Sequence, residues 1–397
     1  MKVKGLFIAS LFAVVSVVML GQAAIPSSLS ITSEYHFGDL IKIHGQYPVN
    51  EYSNAFKFDF GFPDSTRHDW HELHGYPLVG FSVIGGTYGN DRVLGSSLTV
   101  TPFVSFYRRI SDNIKWNFQA GLGAAYWEKP YDYEDNPANL VIGTQITAQT
   151  YFQTGFDFAI GKQWDLRLGG SFMHYSNVHL AVPNIGANIV NGFVGLRYFN
   201  PVADPIPDKA QRKSYKSRCS LWKPTIRIVQ GFHEMPGTLE PKQGPMHRVH
   251  GLMLGMTTTS GLRSSWTVGA HYYFYQGYRN YIIGQQLFDD DQQVNWRSSV
   301  VGFFGGREWY FGRLHALFEL NVNVHSPFLP RFYDVWDIPK GRSYDPFIGG
   351  RVGFRYFFIP LDKDWHEVAG AFNTSIAVKS NGGTADFLEL TLGYVFK

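Results

Sequence analysis

Residues 164–199 read WDLRLGGSFMHYSN, then VHLAVPNIGAN, then IVNGFVGLRYF. Taken two at a time, Trp164, Leu166, Leu168, Gly170, Phe172, His174 and Ser176 fall on one face of the first run. Asp165, Arg167, Gly169, Ser171, Met173 and Tyr175 fall on the other. A period of two is that of a β-strand, whose side chains alternate across the sheet. One face is apolar and ends in a base and a hydroxyl. The opposite face carries the charges.

The same alternation recurs along the chain. Phe56, Phe58, Phe60 and Phe62 alternate with Lys57, Asp59 and Gly61. Trp116, Phe118, Ala120, Leu122, Ala124 and Tyr126 alternate with Asn117, Gln119, Gly121 and Gly123. In the second half, Leu314, Ala316, Phe318, Leu320, Val322 and Val324 stand opposite His315, Glu319, Asn321 and Asn323. Leu388, Leu390, Leu392, Tyr394 and Phe396 stand opposite Glu389, Thr391 and Gly393. Segments of about ten residues, apolar on one face, polar on the other and aromatic at the ends, are the pattern of transmembrane β-strands. A soluble sandwich also alternates, but it does not usually set full apolar stripes against Lys, Asp, Arg and Glu strand after strand.

The connections agree. Short links such as Gly161-Lys162-Gln163, Ser260-Gly261-Leu262 and Phe311-Gly312-Arg313 alternate with long ones at 128–145, 177–188, 276–296 and 326–347. Bacterial barrels have short periplasmic turns and long outer loops. The expectation is all-β: an antiparallel transmembrane β-barrel of roughly 14–16 strands, estimated from the strand pattern. Its first strand is expected at about 34–45. Segments near 78–86 and 297–310 are weakly phased, and the link at 63–77 is long for a periplasmic turn. On this count the run ending at Ser176 rises to the outer leaflet.

Composition bounds the rest. The chain has 397 residues, a net charge of +3 and one cysteine, Cys219. A single cysteine excludes an internal disulfide framework and a multi-cysteine metal site. The near-neutral charge argues against nucleic acid as a partner. Lys2 and Lys4, the apolar run Gly5 to Leu20 and the small residues around Ala23-Ala24 make residues 1–23 a secretory signal peptide. The expected organisation is then a barrel half over 24–199, a Pro-rich basic linker or periplasmic excursion over 200–223, and a second half over 224–397, the last as part of the same barrel. Gly195-Leu196-Arg197-Tyr198-Phe199 echoes Gly353-Phe354-Arg355-Tyr356-Phe357, as repeated strands would. The expected location is the outer membrane of a Gram-negative bacterium.

His174 and Ser176, being i and i+2, share the lipid-facing side. A neutral imidazole can take the hydroxyl proton and make serine a nucleophile. Asn177 follows where the chain can turn an amide toward a developing oxyanion. The plain alternative is an interfacial histidine in an aromatic girdle. His68, His71 and His74 recur every three residues but lack the ligand set and spacing of a zinc site. Asp289-Asp290-Asp291 reads as a solvated loop, and the cluster Arg212, Lys213, Lys216 and Arg218 as a solubilising linker. Neither a metal nor an organic cofactor is expected.

His174-Tyr175-Ser176-Asn177, followed by Pro183-Asn184 and Gly186 and then a Gly-rich strand, resembles the outer-membrane lipid A deacylase (acyloxyacyl hydrolase-like) family. The likeness covers about 34–199, and the remainder looks like the C-terminal extension of longer members. The resemblance implies an eight-stranded barrel and hydrolysis of an acyl ester of lipid A, with lipopolysaccharide as substrate. It implies His174 as base, Ser176 as nucleophile and Asn177 as oxyanion donor. Best-known members carry a Glu fourteen residues after the histidine to orient it. Asn188 stands there instead. An Asn can hold a His tautomer by a hydrogen bond but brings no charge; His179 and Asn191 lie near but align less well. The rival expectations are a non-catalytic porin-like or structural barrel, and acyl transfer to an acceptor other than water.

Overall fold

The computed structural model describes residues 29–42, 45–62, 69–199, 221–234, 244–288, 292–335, 347–359, 368–382 and 384–397. The signal segment, most of the 200–223 linker with Cys219, His68 and the Asp289–Asp291 run lie outside these.

The first eight strands are β1 (Ser30–Leu40), β2 (Ser53–Phe62), β3 (Leu78–Thr87), β4 (Ser96–Ser111), β5 (Ile114–Trp127), β6 (Ile146–Ala159), β7 (Trp164–Ser176) and β8 (Ala187–Tyr198). The second eight are β9 (Lys223–His233), β10 (His247–Ser260), β11 (Ser264–Tyr275), β12 (Ser299–Phe311), β13 (Leu314–His325), β14 (Ile348–Phe357), β15 (Phe372–Asn381) and β16 (Thr384–Val395). All neighbours pair antiparallel. The first strand therefore starts and ends earlier than the 34–45 expected, and the two weakly phased segments are the strands β3 and β12.

Among the described residues there are sixteen strands, within the 14–16 expected, but they do not close into a single barrel. β8 returns to β1, from Ile31 opposite Tyr198 to Leu40 opposite Ile189. β16 returns to β9, from Leu388 opposite Phe232 to Val395 opposite Thr225. Two closed eight-stranded barrels result. Among the described residues, those through Asn177 and from Pro183 to Phe199 form one compact unit. Val178–Val182 are grouped with the residues from Leu221 onward in the other. Alternation says which face a residue takes and nothing about which strand closes the circle. That is why one large barrel and two small ones read alike.

In each barrel the side-chain period sorts the chain by polarity. Phe56, Phe58, Leu168, Val190 and Val194 are exposed on the outside of the first barrel, and Leu254, Phe303, Leu320 and Val352 on the outside of the second. No helix among the described residues is long and apolar enough to cross a membrane.

Eight strands leave an interior just wide enough for side chains to fill. In the first barrel Lys57 Nζ meets Glu34 at 2.8 Å and Asp59 at 2.5 Å. Arg167 reaches Glu34 at 2.6 Å and Asp157 at 3.0 Å, and Arg197 reaches Asp165 at 2.5 Å. In the second, Arg351 joins Glu319 at 2.5 Å and Glu389 at 3.0 Å, Arg227 meets Glu319 at 2.8 Å, and Lys379 meets Asp386 at 2.8 Å. Buried charges persist only when paired in this way, since removing one partner strands the other.

Toward the long-loop end of the first barrel the interior turns apolar. Leu40, Ile84, Trp127, Tyr151, Met173, Tyr175 and Ile189 pack there with Tyr47, Tyr88, Val141 and Ile142 from the loops. Trp127 stacks on Tyr88 with ring centroids 4.4 Å apart. This plug fixes the loops on which the candidate site depends.

Candidate active site

His174 and Ser176 are the last two outward residues of β7. The inward residues between and beside them, Met173 and Tyr175, are fully buried in the plug, which sets the strand's rotation. His174 is half-buried at the outer wall, as its parity requires. Ser176 is only 8 % exposed, because the connection from β7 to β8 folds back over it.

β8 supplies the third residue. In the antiparallel register Asn188 lies directly opposite His174. The two side chains meet, with Asn188 Oδ1 2.8 Å from His174 Nδ1. A carbonyl oxygen only accepts, so the proton rests on Nδ1 and Nε2 is left with its lone pair. That is the tautomer a general base toward a serine hydroxyl needs. Of the residues expected from sequence to share a site, His174 and Asn188 are thus in contact, and Ser176 follows His174 on the same face of β7. Asn191 and His179 are not part of this contact. Asn191 points into the lumen beside Ser171 and Ser53, and the His179 Nδ1 lies 2.7 Å from the carbonyl of Ala385.

The connection 177–186 carries a residue to which no role was assigned from sequence. Asn184 Nδ2 donates to Ser176 Oγ at 2.9 Å. Its Oδ1 accepts from the backbone N–H of Asn177 at 3.2 Å, which fixes the amide with its N–H groups toward the serine. The Asn177 side chain, expected to be the oxyanion donor, is fully buried, and its Nδ2 lies by Gly143, 3.3 Å from where a Cβ would stand. The turn after it is strained. Val178 and His179 have φ of 53° and 65°, and a β-branched residue in that region is a true outlier.

Gly186 closes the site from the side. Its φ of 78° suits glycine, and a Cβ there would come within 3.3 Å of His174 Cε1. Its N–H donates to Val141 O at 3.0 Å in the loop after β5. Its carbonyl accepts from Tyr47 Oη at 2.7 Å in the loop after β1. Burial pushes the Tyr47 phenol up to about 12, against a side-chain hydrogen bond with Asn188 that lowers it, so the hydroxyl keeps its proton. Below the site on the outer wall, Phe172 pairs with Phe152 of β6 and Leu168 with Phe156, an apolar lane running down the strand.

Barrels with paired-charge interiors, an apolar outer belt and polar chemistry at the outer rim define an integral outer-membrane β-barrel protein. Residues 54–197 match the family model described as lipid A 3-O-deacylase (PagL). The resemblance read from His174–Asn177 and the outer-membrane location both hold. Among solved structures, the outer membrane enzyme PagL is 19 % identical, with 42 % of this chain and 97 % of that one covered and a TM-score of 0.30. Neisserial surface protein A is 12 % identical over 43 % of this chain and 96 % of that one, TM-score 0.28. The N-terminal barrel of Pseudomonas aeruginosa OprF is 10 % identical over 43 % and 100 %, TM-score 0.26. No curated protein matches the chain.

Proposed function

We propose that this chain is a serine esterase that removes an ester-linked acyl chain from lipid A at the outer leaflet. The observation that carries the reading is the His174–Asn188 contact beside Ser176, on the lipid side of a deacylase-family barrel.

Ser176 Oγ attacks the ester carbonyl while His174 Nε2 takes its proton. The carbonyl oxygen becomes an oxyanion, and Asn184 Nδ2, oriented by the Asn177 N–H, donates to it. The tetrahedral intermediate collapses, the bond to the sugar oxygen breaks, and His174 returns the proton to that oxygen. Water, deprotonated by His174, then attacks the acyl-serine, and a fatty acid leaves as Ser176 recovers its proton. Asn188 holds the imidazole throughout. Phe172, Phe152 and Leu168 are the wall along which the acyl chain lies. The 3-O ester is the linkage the family description names. No step calls for a metal or an organic cofactor.

The porin-like alternative gains nothing from the interiors, where Lys57, Arg167 and Arg197 bridge carboxylates in one barrel and Arg227, Arg351 and Lys379 do so in the other. Mass spectrometry of lipid A from cells expressing the wild type or Ser176→Ala tests the esterase. Matching spectra, with no acyl loss in either, sink it.

A further inference from the structure

Val178–Val182, in the connection from β7 to β8, belong to the compact unit of the second eight strands. Asn177 before them and Pro183 and Asn184 after them belong to the first. All five residues are buried, and four of them are apolar. A buried loop is unusual, because its backbone N–H and C=O groups lose water and must find partners inside the protein.

Glu234, one residue past the end of β9 and fully buried, supplies two of those partners. Its N–H donates to the His179 carbonyl at 3.0 Å. Its carboxylate Oε2 accepts from the Val182 N–H at 2.5 Å. A third bond runs from His179 Nδ1 to the Ala385 carbonyl at 2.7 Å. The segment needs such a grip. Val178 and His179 hold φ of 53° and 65°, and a β-branched residue keeps that conformation only where its surroundings over-determine it. Downstream the chain is fixed separately, by the N–H groups of Ile185 and Gly186 on the carbonyls of Leu140 and Val141 at 3.2 and 3.0 Å. Asn184 lies between the two holds, with its Nδ2 on Ser176 Oγ at 2.9 Å. Released at Val182, the strained turn would relax, and Pro183 and Asn184 would follow it through the chain.

We infer that Glu234 is a positioning residue, which clamps His179 and Val182 and so sets Asn184 against Ser176. The clamp gives β9–β16 a part in the chemistry of the first eight strands. It rests on the esterase reading for its purpose, though not for its whole measurement.

The test uses the full-length protein in lipid nanodiscs with lipid A as substrate. Glu234→Ala, with closure of the barrels checked by migration on an unheated gel, should lower kcat about tenfold with KM little changed, the worth of one hydrogen bond to a charged group. In an Asn184→Ala background the same substitution should cost nothing further, because both changes act through one donor. Equal losses in the two backgrounds overturn the inference, since a merely structural residue acts independently of Asn184. So does an unchanged kcat in folded Glu234→Ala. Amide hydrogen exchange reads the clamp without activity: the Val182 amide should exchange slowly in the wild type and about tenfold faster in Glu234→Ala, while β8 keeps its protection. A wild-type Val182 amide that exchanges as fast as an open loop overturns the inference, and needs no variant to fold. Slow, Glu234-dependent exchange without deacylation by the wild type would instead defeat the esterase reading and leave the clamp standing.

Discussion

The seventh strands of the two barrels make an instructive pair. Both present apolar residues outward and end their outward rows in serine: Phe172, His174 and Ser176 on β7, and Ile376, Val378 and Ser380 on β15. Opposite His174 in the first barrel is Asn188; opposite Val378 in the second is Leu388. Ser176 receives a hydrogen bond from Asn184 at 2.9 Å, whereas Ser380 donates to the backbone of Gly350 at 3.3 Å. The scaffold, the outward parity and the hydroxyl are shared. An imidazole paired with an amide, and a donor aimed at the hydroxyl, are found in the first barrel. A serine at the lipid rim is ordinary; what distinguishes Ser176 is its company.

That comparison can be broken most directly at the nucleophile. Ser176→Ala should lower lipid A deacylation by about 10³-fold or more, the scale seen when a serine nucleophile is lost, read as released fatty acid per unit of folded barrel. Next, Asn184→Ala should cost about 10²-fold in kcat with little change in KM, as for loss of one oxyanion donor; a raised KM with kcat unchanged would make Asn184 a binding residue. Asn188→Glu, which restores the charge that would stabilise the imidazolium, should hold or raise kcat, and total loss would remove β8 from the site. Ser380→Ala in the second barrel should leave deacylation unchanged, and a decline there would dissolve the contrast.

Much of this was legible in the sequence for physical reasons that differ residue by residue. The period of two in Trp164–Ser176 puts His174 and Ser176 on the lipid side, and the family resemblance, with its orienting residue fourteen positions after the histidine, singles out Asn188. Strand number followed from the same counting. Barrel number did not, because closure rests on pairs such as Ile31 with Tyr198, far apart in the chain and without a local signature. Asn184 and Tyr47 were given no part for a related reason. They lie on loops, where position follows from what the loop packs against, and it is the plug around Trp127 and Tyr88 that brings those loops over the serine.

Ser176 faces outward from a wall, and its interior is filled with paired charges. On the proposed reading, the substrate arrives sideways through the leaflet and never enters the protein. The relevant concentration is then an areal one. Turnover should follow the mole fraction of lipid A in the surrounding membrane, saturate with crowding of that leaflet, and fall when inert lipid or detergent dilutes the surface at constant bulk substrate.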